Sequence, residues 1–380
     1  MTTGRRVSAK ELNRATLERQ WLLERHRATP SEAVAALAGL QAQHANSPYI
    51  ALWSRVRDFA IADLEAALQD RSVVKATVMR STLHLVAAGD YRAFDAAMAE
   101  ARMAIWAPTA KRAGLDLVAL HKQLLDYCRE PRTVAEMGPH LDGIAADSRL
   151  AEHVPAGVRN AAFRIASGGG GLVHVPPSGL WRSHGKPSYI DAGVWLPDTP
   201  RPDPATALQT AVERYLAAYG PASLGDIGKW MGQTRVPKIR AALTALGDRM
   251  VPLTGPDGRE LMDLVELSRP AGDVVAPVRF LARWDSALIA YDVRDRILPD
   301  AHREAVIKKN GDFLPTILID GLVAGLWGVD AKKDEAVLTI APFSKVSAAA
   351  RRDLEAEAER LVRFVEAGAT RHEVAWKPAG

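Results

Sequence analysis

Residues 205–264 read ATALQTAVERYLAAYGPASLGDIGKWMGQTRVPKIRAALTALGDRMVPLTGPDGRELMDL, and this stretch decides the fold. Residues 205–219 read as one helix. Residues 223–231 (SLGDIGKWM) read as a second, with Ser223 as its N-cap. Residues 237–246 (PKIRAALTAL) make a third. Two short strands, 250–253 and 260–264, then flank the turn Gly255-Pro256-Asp257-Gly258. Helix, helix, helix, strand, turn, strand is the layout of a helix-turn-helix with a β wing.

Working outward, the same order recurs upstream of the Pro-rich linker at 197–204. Residues 117–128 read as a helix, Thr133 caps a short segment through 141, and residues 155–167 form a third helix. The run Gly168-Gly169-Gly170-Gly171 breaks that helix. A strand follows at 172–175, and residues 181–195 supply a turn and return strand. A first unit is expected before it. Residues 9–25 are an amphipathic helix, and a second helix capped by Ser31 carries the stripe Val34, Leu37, Leu40. An apolar segment at 49–56, a short helix at 62–70 and a hairpin at 73–87 follow. Asp90 then caps a helix from 91 to about 103. Beyond residue 277 the chain reads as mainly β, with strands at 280–281, 287–291, 315–319, 323–329 and 336–340. A final amphipathic helix spans 348–364.

The fold class expected is therefore α+β: three tandem winged helix-turn-helix units and a β-rich C-terminal region. The expected bounds are 1–110, 111–198, 199–268 and 269–380. A length of 380 residues suits two or three domains, and 48% hydrophobic with 25% charged residues is ordinary globular composition. No apolar run reaches the roughly 18 residues of a membrane span. The N-terminus has basic residues but no following apolar stretch, so no signal peptide is expected. The single cysteine, Cys128, fits a reducing cytosol and excludes cysteine-based zinc sites. A net charge of +4 permits nucleic-acid binding without demonstrating it.

The stretch Leu40-Gln41-Ala42-Gln43 stands apart. It lies at the end of an apolar helical run, 33–40, just before the helix-breaking Asn46-Ser47-Pro48. Each glutamine amide donates and accepts hydrogen bonds and neither titrates. In a straight helix positions i and i+2 point to nearly opposite sides. Both amides converge on one spot only where the helix ends or distorts between them.

The ordinary enzyme templates fail. The sequence contains no phosphate-binding G-x-x-x-x-G-K-[ST] loop, no G-x-G-x-x-G, no H-E-x-x-H and no G-x-S-x-G. The ten histidines form no ligand cluster. Basic segments remain as candidate phosphate contacts. Thr234, Arg235, Lys238 and Arg240 lie at the start of the helix where a recognition helix would meet DNA. Arg182, His184 and Lys186 form a basic wing, and Lys308-Lys309-Asn310-Gly311 a basic turn. Each has a plainer reading as a solvated surface.

Residues 39–56 (GLQAQHANSPYIALWSRV) and 79–86 (MRSTLHLV) together resemble the AlkZ/YcaQ family of bacterial DNA glycosylases. So do residues 280–285 (FLARWD) and 315–327 (PTILIDGLVAGLW), and the likeness runs from about residue 9 to 365. The resemblance implies winged-helix units and a β-rich region forming a concave DNA-binding surface. It implies a catalytic signature of Gln, an apolar residue, then Gln or Asp, which falls on Gln41 and Gln43. Ala42 stands where leucine is expected, which matters little if that residue faces the core. Arg80 and His84 would line the same cleft as DNA-binding residues, His84 having the alternative of a core strand histidine. Tyr49 and Trp53 read as core aromatics.

The implied function is a monofunctional DNA glycosylase hydrolysing N-glycosidic bonds of N7-alkylated purines, with unhooking of interstrand crosslinks or bulky guanine adducts in scope. The partner is double-stranded DNA containing alkylated purines. No metal or nucleotide cofactor is implied, no lysine is assigned as a Schiff-base nucleophile, and a cytoplasmic, nucleoid-associated monomer is expected. The rival reading is a non-catalytic winged-helix DNA-binding protein or transcriptional regulator.

Overall fold

The structure is a computed structural model that describes residues 4–154, 158–232 and 236–379. It is a mixed α+β protein. The region that decided the fold class has the expected order. Helix Pro204–Tyr219 is capped by Asp203, whose carboxylate accepts from Ala205 and Thr206. Helix Leu224–Met231 begins in a capping box of Ser223 and Asp226 and ends on Gly232 in the left-handed region. Helix Val236–Ala245 follows, then strands Met250–Thr254 and Glu260–Leu264 paired antiparallel.

Pro204–Tyr219 is the spine of the molecule. Ala207, Ala211, Tyr215, Leu216 and Tyr219 are fully buried, and the helix packs along the long helix Ala88–Ala113. Its tyrosines keep their hydroxyls satisfied, as buried phenols must. Tyr215 donates to the Ala290 carbonyl at 3.1 Å and Tyr219 to the Leu37 carbonyl at 2.9 Å. These bonds tie the helix to the segments that carry Leu37 and Ala290.

The hairpins of the first two units do not stand apart as separate wings. Val73–Thr77 and Leu83–Ala87 form one hairpin, Leu172–Val175 and Ser188–Asp191 the other. They join edge to edge through Lys75 opposite His174 and Ala76 opposite Val173. With Leu40–Gln41 at one end and Arg132–Thr133 at the other, the result is a single six-stranded sheet. The fusion removes two exposed edges at once. A further exchange occurs at the N-terminus, where Arg5–Arg6 adds in parallel to Met250–Thr254.

The C-terminal region is a five-stranded sheet: Arg279–Leu281, Thr316–Ile319, Leu322–Lys332, Glu335–Pro342 and Arg371–Trp376. Helix Ala348–Val365 buries Leu354, Ala358, Leu361 and Val362 in the same core as Leu338 and Ile340. It also serves as the crossover to the last strand, which is parallel to its neighbour. That last strand was not anticipated, because no residue of it is fully buried. The region is pinned to the first unit by Arg55 and Asp285, a bidentate ion pair with both side chains fully buried. Such a pair specifies one arrangement of its two segments more than it adds net stability.

Four local expectations need correction. The second helix is Pro30–Ala36, and its N-cap is Thr29, not Ser31. Proline at N1 favours that start, and the Ser31 hydroxyl donates instead to the Ser72 carbonyl at 3.1 Å. Asp90 is not a cap. The helix starts at Ala88, and Asp90 sits in its first turn, paired with Arg214 at 2.9 Å. Residues 287–291 are not a strand: Ser286–Ile289 is a helical turn capped by Asp285, and its apolar run is continuous because the segment is buried on every side. The fourth correction concerns the glutamines.

Candidate active site

The helix that was to carry Gln41 stops at Ala36. Ala38 and Gly39 then take φ values of 52° and 91°, which turn the chain sharply out of the helix. A Cβ on Gly39 would stand 3.0 Å from Met79 Cε and 3.2 Å from the Leu85 carbonyl oxygen, so the close approach favours glycine there. Leu40–Gln41 emerges as an edge strand, pairing Leu40 with Leu85 and Gln41 with His84. The Ala42 amide continues the ladder to the Leu83 carbonyl at 2.7 Å. In an extended chain residues i and i+2 share a face. A strand, not a distorted helix end, therefore brings the two amides together. Ala42 points the other way, into the core with Tyr49 and Trp53, as both aromatics and the small middle residue were expected to do.

The amides form a directed chain. Arg80 Nη2 donates to Gln41 Oε1 at 2.9 Å. Gln41 Nε2 in turn donates to Gln43 Oε1. Arg80 also reaches His84 Nε2 at 3.2 Å and, through Nη1, the Trp230 carbonyl at 3.2 Å. His84 Nδ1 lies 2.9 Å from the Thr82 carbonyl, so the self-consistent tautomer carries its proton on Nδ1 and accepts from Arg80 on Nε2. Gln41 is 8% exposed whereas Gln43 is exposed. The chain thus runs from a half-buried guanidinium, through a buried amide, to the surface. None of the hydrogen bonds of these four side chains, among the described residues, goes to a carboxylate.

Electrostatics follow from that burial. Burial pushes His84 down to about 3, with the Arg80 charge adding to the effect. It is neutral at any physiological pH. Burial also lowers Arg80 to about 10, which leaves it cationic near neutrality. Arg80 sits in a tight turn between the hairpin strands with φ of 53°, and Ser81 follows at 56°. Two consecutive non-glycine residues in that region are strained, a condition that clusters at functional sites.

His44, one residue beyond Gln43 in the chain, opens a groove of about 440 Å³. Asn46, Ser47, Arg182, His184, Arg283, Trp327 and Glu366 line it with His44. The His44 ring rests against Trp284 at 4.9 Å between centroids. Burial lowers the His44 pKa below its ordinary value, Arg283 and His184 lower it further, and Asp312 opposes them.

The predicted contact residues divide. Arg80 and His84 join the glutamines but are turned inward, so they support the amides from behind. Arg182 lines the groove, donating to the Val365 carbonyl at 2.7 Å and pairing with Glu366. Lys186 is exposed on the same loop as His184. Lys308 and Lys309 are exposed on a turn closed by Asp312, and Asp312 holds Arg283 of the groove, so that turn sits on the rim. Lys238 is exposed and pairs with Glu100 of the long helix. Arg235 and Thr234 lie outside the described residues. His44, Ser47 and Arg283 were not singled out from the sequence as site residues. Their one signal was position, since all three fall inside the segments that carried the family resemblance. Among the described residues no group of three or more His, Cys, Asp or Glu is placed to hold a metal, and no helix is long and apolar enough to cross a membrane.

A curated relative from Streptomyces sahachiroi, an "Interstrand DNA cross-link repair glycosylase", is 26% identical over 379 aligned residues, covering 91% of this chain and 94% of the relative. The solved structure of "Streptomyces sahachiroi DNA glycosylase AlkZ" superposes with a TM-score of 0.79 at 23% identity, covering 98% of this chain and all of that one, which shows a shared fold. The model of the family described as "DNA glycosylase AlkZ-like" matches residues 34–364, a span that holds the glutamine chain, Arg80, His84 and all of the groove lining except Val365 and Glu366. The chain belongs to the AlkZ-like family and is a DNA glycosylase.

Proposed function

We propose that this enzyme hydrolyses the N-glycosidic bond of N7-alkylated purines in double-stranded DNA, with Gln43 at the reacting sugar and Gln41 holding it in place. The observation that carries this reading is the chain Arg80 to Gln41 to Gln43, which ends in solvent one residue before His44 of an open groove. A purine alkylated at N7 is cationic. When the N9–C1′ bond breaks, its electron pair stays with the base, which leaves neutral and needs no general acid. Water then bonds C1′ of an oxocarbenium-like sugar and loses its proton to solvent.

The residues present suit that division of labour. Neither glutamine can act as a general base near neutrality, and His84 has its only basic nitrogen occupied by Arg80. Gln43 Oε1 takes one bond from Gln41 and keeps a second lone pair, while its amide N–H groups remain free. A water bound there is positioned, and the oxygen dipole favours developing positive charge. The two amides also space the Arg80 cation away from the cationic sugar.

Gln43 lies at the surface rather than in an enclosed pocket, which favours adducts too bulky to be extruded fully from the duplex. Interstrand crosslinks, named for the curated relative, fall in that class. Lys308, Lys309, Arg182 and Lys186 are the phosphate contacts proposed around the groove, with Arg235 and Lys238 as those of a recognition helix in the third of three winged-helix units. The chain is taken to act as a monomer.

The test is incubation with duplex containing 7-methylguanine, followed by alkaline cleavage at abasic sites. Wild type should release the base, and Gln43→Ala should slow release about 100-fold, the order of loss for a misplaced reactant. Equal rates in the two proteins would remove Gln43 from the reaction. No release by wild type would end the N7 assignment.

A further inference from the structure

The groove next to Gln43 has features that the hydrolytic reaction itself does not use. Ser47 lines the groove and is 3% exposed, and its buried hydroxyl has no hydrogen-bond partner among the described residues. A buried hydroxyl left unpaired costs stability, so its persistence calls for a ligand. Around it the lining is rich in donors. Arg283 commits Nε and Nη2 to Asp312 and keeps Nη1 free. Arg182 commits Nη2 to the Val365 carbonyl and to Glu366 and keeps Nε and Nη1 free. His44 and His184 add ring nitrogens. The two carboxylates hold the guanidinium groups in place and are themselves occupied by them. A nucleobase edge needs a matched set of donors and acceptors. A phosphodiester needs donors alone, and guanidinium groups suit its geometry.

We propose that this groove grips one backbone phosphodiester of the lesion-bearing strand, through Arg283 and Arg182 with the Ser47 hydroxyl turning about χ1 to join them, within about two nucleotides of the sugar presented to Gln43. The register follows from the chain: Ser47 lies four residues beyond Gln43, a reach of at most about 14 Å. The reaction and the grip therefore share one short, rigid segment, Gln41 to Ser47, whose start is paired into the six-stranded sheet and whose end opens helix Ser47–Trp53. A phosphate held there places the nearby C1′ without any contact to the base. That accommodates adducts of varied shape. The proposal rests on the DNA glycosylase assignment but not on which base is removed.

The experiment is fluorescence anisotropy of an undamaged duplex across a salt series, with wild type, Ser47→Ala and Arg283→Gln, each checked by thermal melting. Ser47→Ala should melt at or above the wild-type temperature, because it removes an unpaired buried hydroxyl. It should bind DNA about tenfold more weakly, the loss of one hydrogen bond to a charged group, with an unchanged salt slope. Arg283→Gln should lower the slope of log K against log salt by about 0.9, one phosphate's share. Wild-type affinity in Ser47→Ala overturns the assignment whatever Arg283→Gln does. An unchanged slope in folded Arg283→Gln overturns it equally. If Arg283→Gln unfolds because Asp312 loses its partner, Ser47→Ala decides alone. Base release from 7-methylguanine duplex is measured in parallel. Wild type that binds with these shifts but releases no base would end the N7 reading and leave the phosphate grip standing.

Discussion

Arg80 donates to the side-chain oxygen of Gln41 at 2.9 Å from a half-buried position, with no carboxylate partner among the described residues. The bond settles the orientation of the Gln41 amide: its oxygen faces Arg80, so its nitrogen must face Gln43. Gln43 Oε1 is oriented in turn. The cation expected to touch DNA is also bonded into the chain of two neutral amides.

Arg80→Met is therefore expected to slow base release by about 10- to 100-fold while the affinity for duplex stays near wild type. Single-turnover rates and anisotropy measured on the same preparation separate the two effects. A loss confined to affinity would return Arg80 to the DNA-contacting set. Arg80→Lys should not restore the rate, because one compact ammonium cannot reach Gln41, His84 and the Trp230 carbonyl together.

The two glutamines should differ in stability although both reduce activity. Gln43 is exposed, so Gln43→Ala should change unfolding free energy by less than about 0.5 kcal/mol. Gln41→Ala strips a half-buried guanidinium of an acceptor and should cost about 1–3 kcal/mol. Urea unfolding of the two variants checks the contrast, and equal stabilities would argue against the hydrogen-bond chain.

The pH dependence has a defined sign. His84 is pushed down to about 3 by burial and Arg80, and His174 to about 3 by burial and Lys75, whereas both titrate near 6.5 when unfolded. Between those values the unfolded state binds more protons, so stability falls as pH falls below 6.5 and is complete above it. At pH 5.5 each histidine should cost about 1.4 kcal/mol. Melting temperature should drop steadily from pH 6.5 to 5, whereas single-turnover base release by folded enzyme should stay flat from pH 6 to 9. A melting temperature independent of pH across that window would contradict the buried, neutral histidines.

Gly39→Ala tests the turn that delivers the glutamine strand. With φ at 91° and Met79 and Leu85 close by, a methyl group there should destabilise by about 1–3 kcal/mol. Because Gln41 lies two residues on, activity at a temperature where the variant is still folded should fall as well. Wild-type activity in a folded variant would show that the site tolerates a shifted strand.

Much of the architecture was legible because it is written locally. Ser223 with Asp226, Gly232 at a helix end, Asp203 before Pro204 and the Gly255–Gly258 turn are interactions across three or four residues, and spacing alone exposes them. The glutamine pair was legible as a motif and through its family likeness, but its local conformation was misread. The apolar run before it continues through Leu40 with helical spacing, and the left-handed turn at Ala38 and Gly39 that ends the helix leads into pairing of Leu40 with Leu85 of a distant hairpin.

By itself, then, the order of residues determined most of the helices, the caps at Thr133 and Ser223, the third hairpin and the identity of the two amides, since each depends on neighbours along the chain. Tertiary structure alone decided that Gln41 would be a strand residue paired with His84, that Arg80 would lie behind it, and that Ser47, Arg182 and Arg283 would meet in one groove. Those outcomes depend on sheet register, the shared burial of edges and the Arg55–Asp285 tie. Such interactions join segments far apart in the chain, and no local pattern carries them.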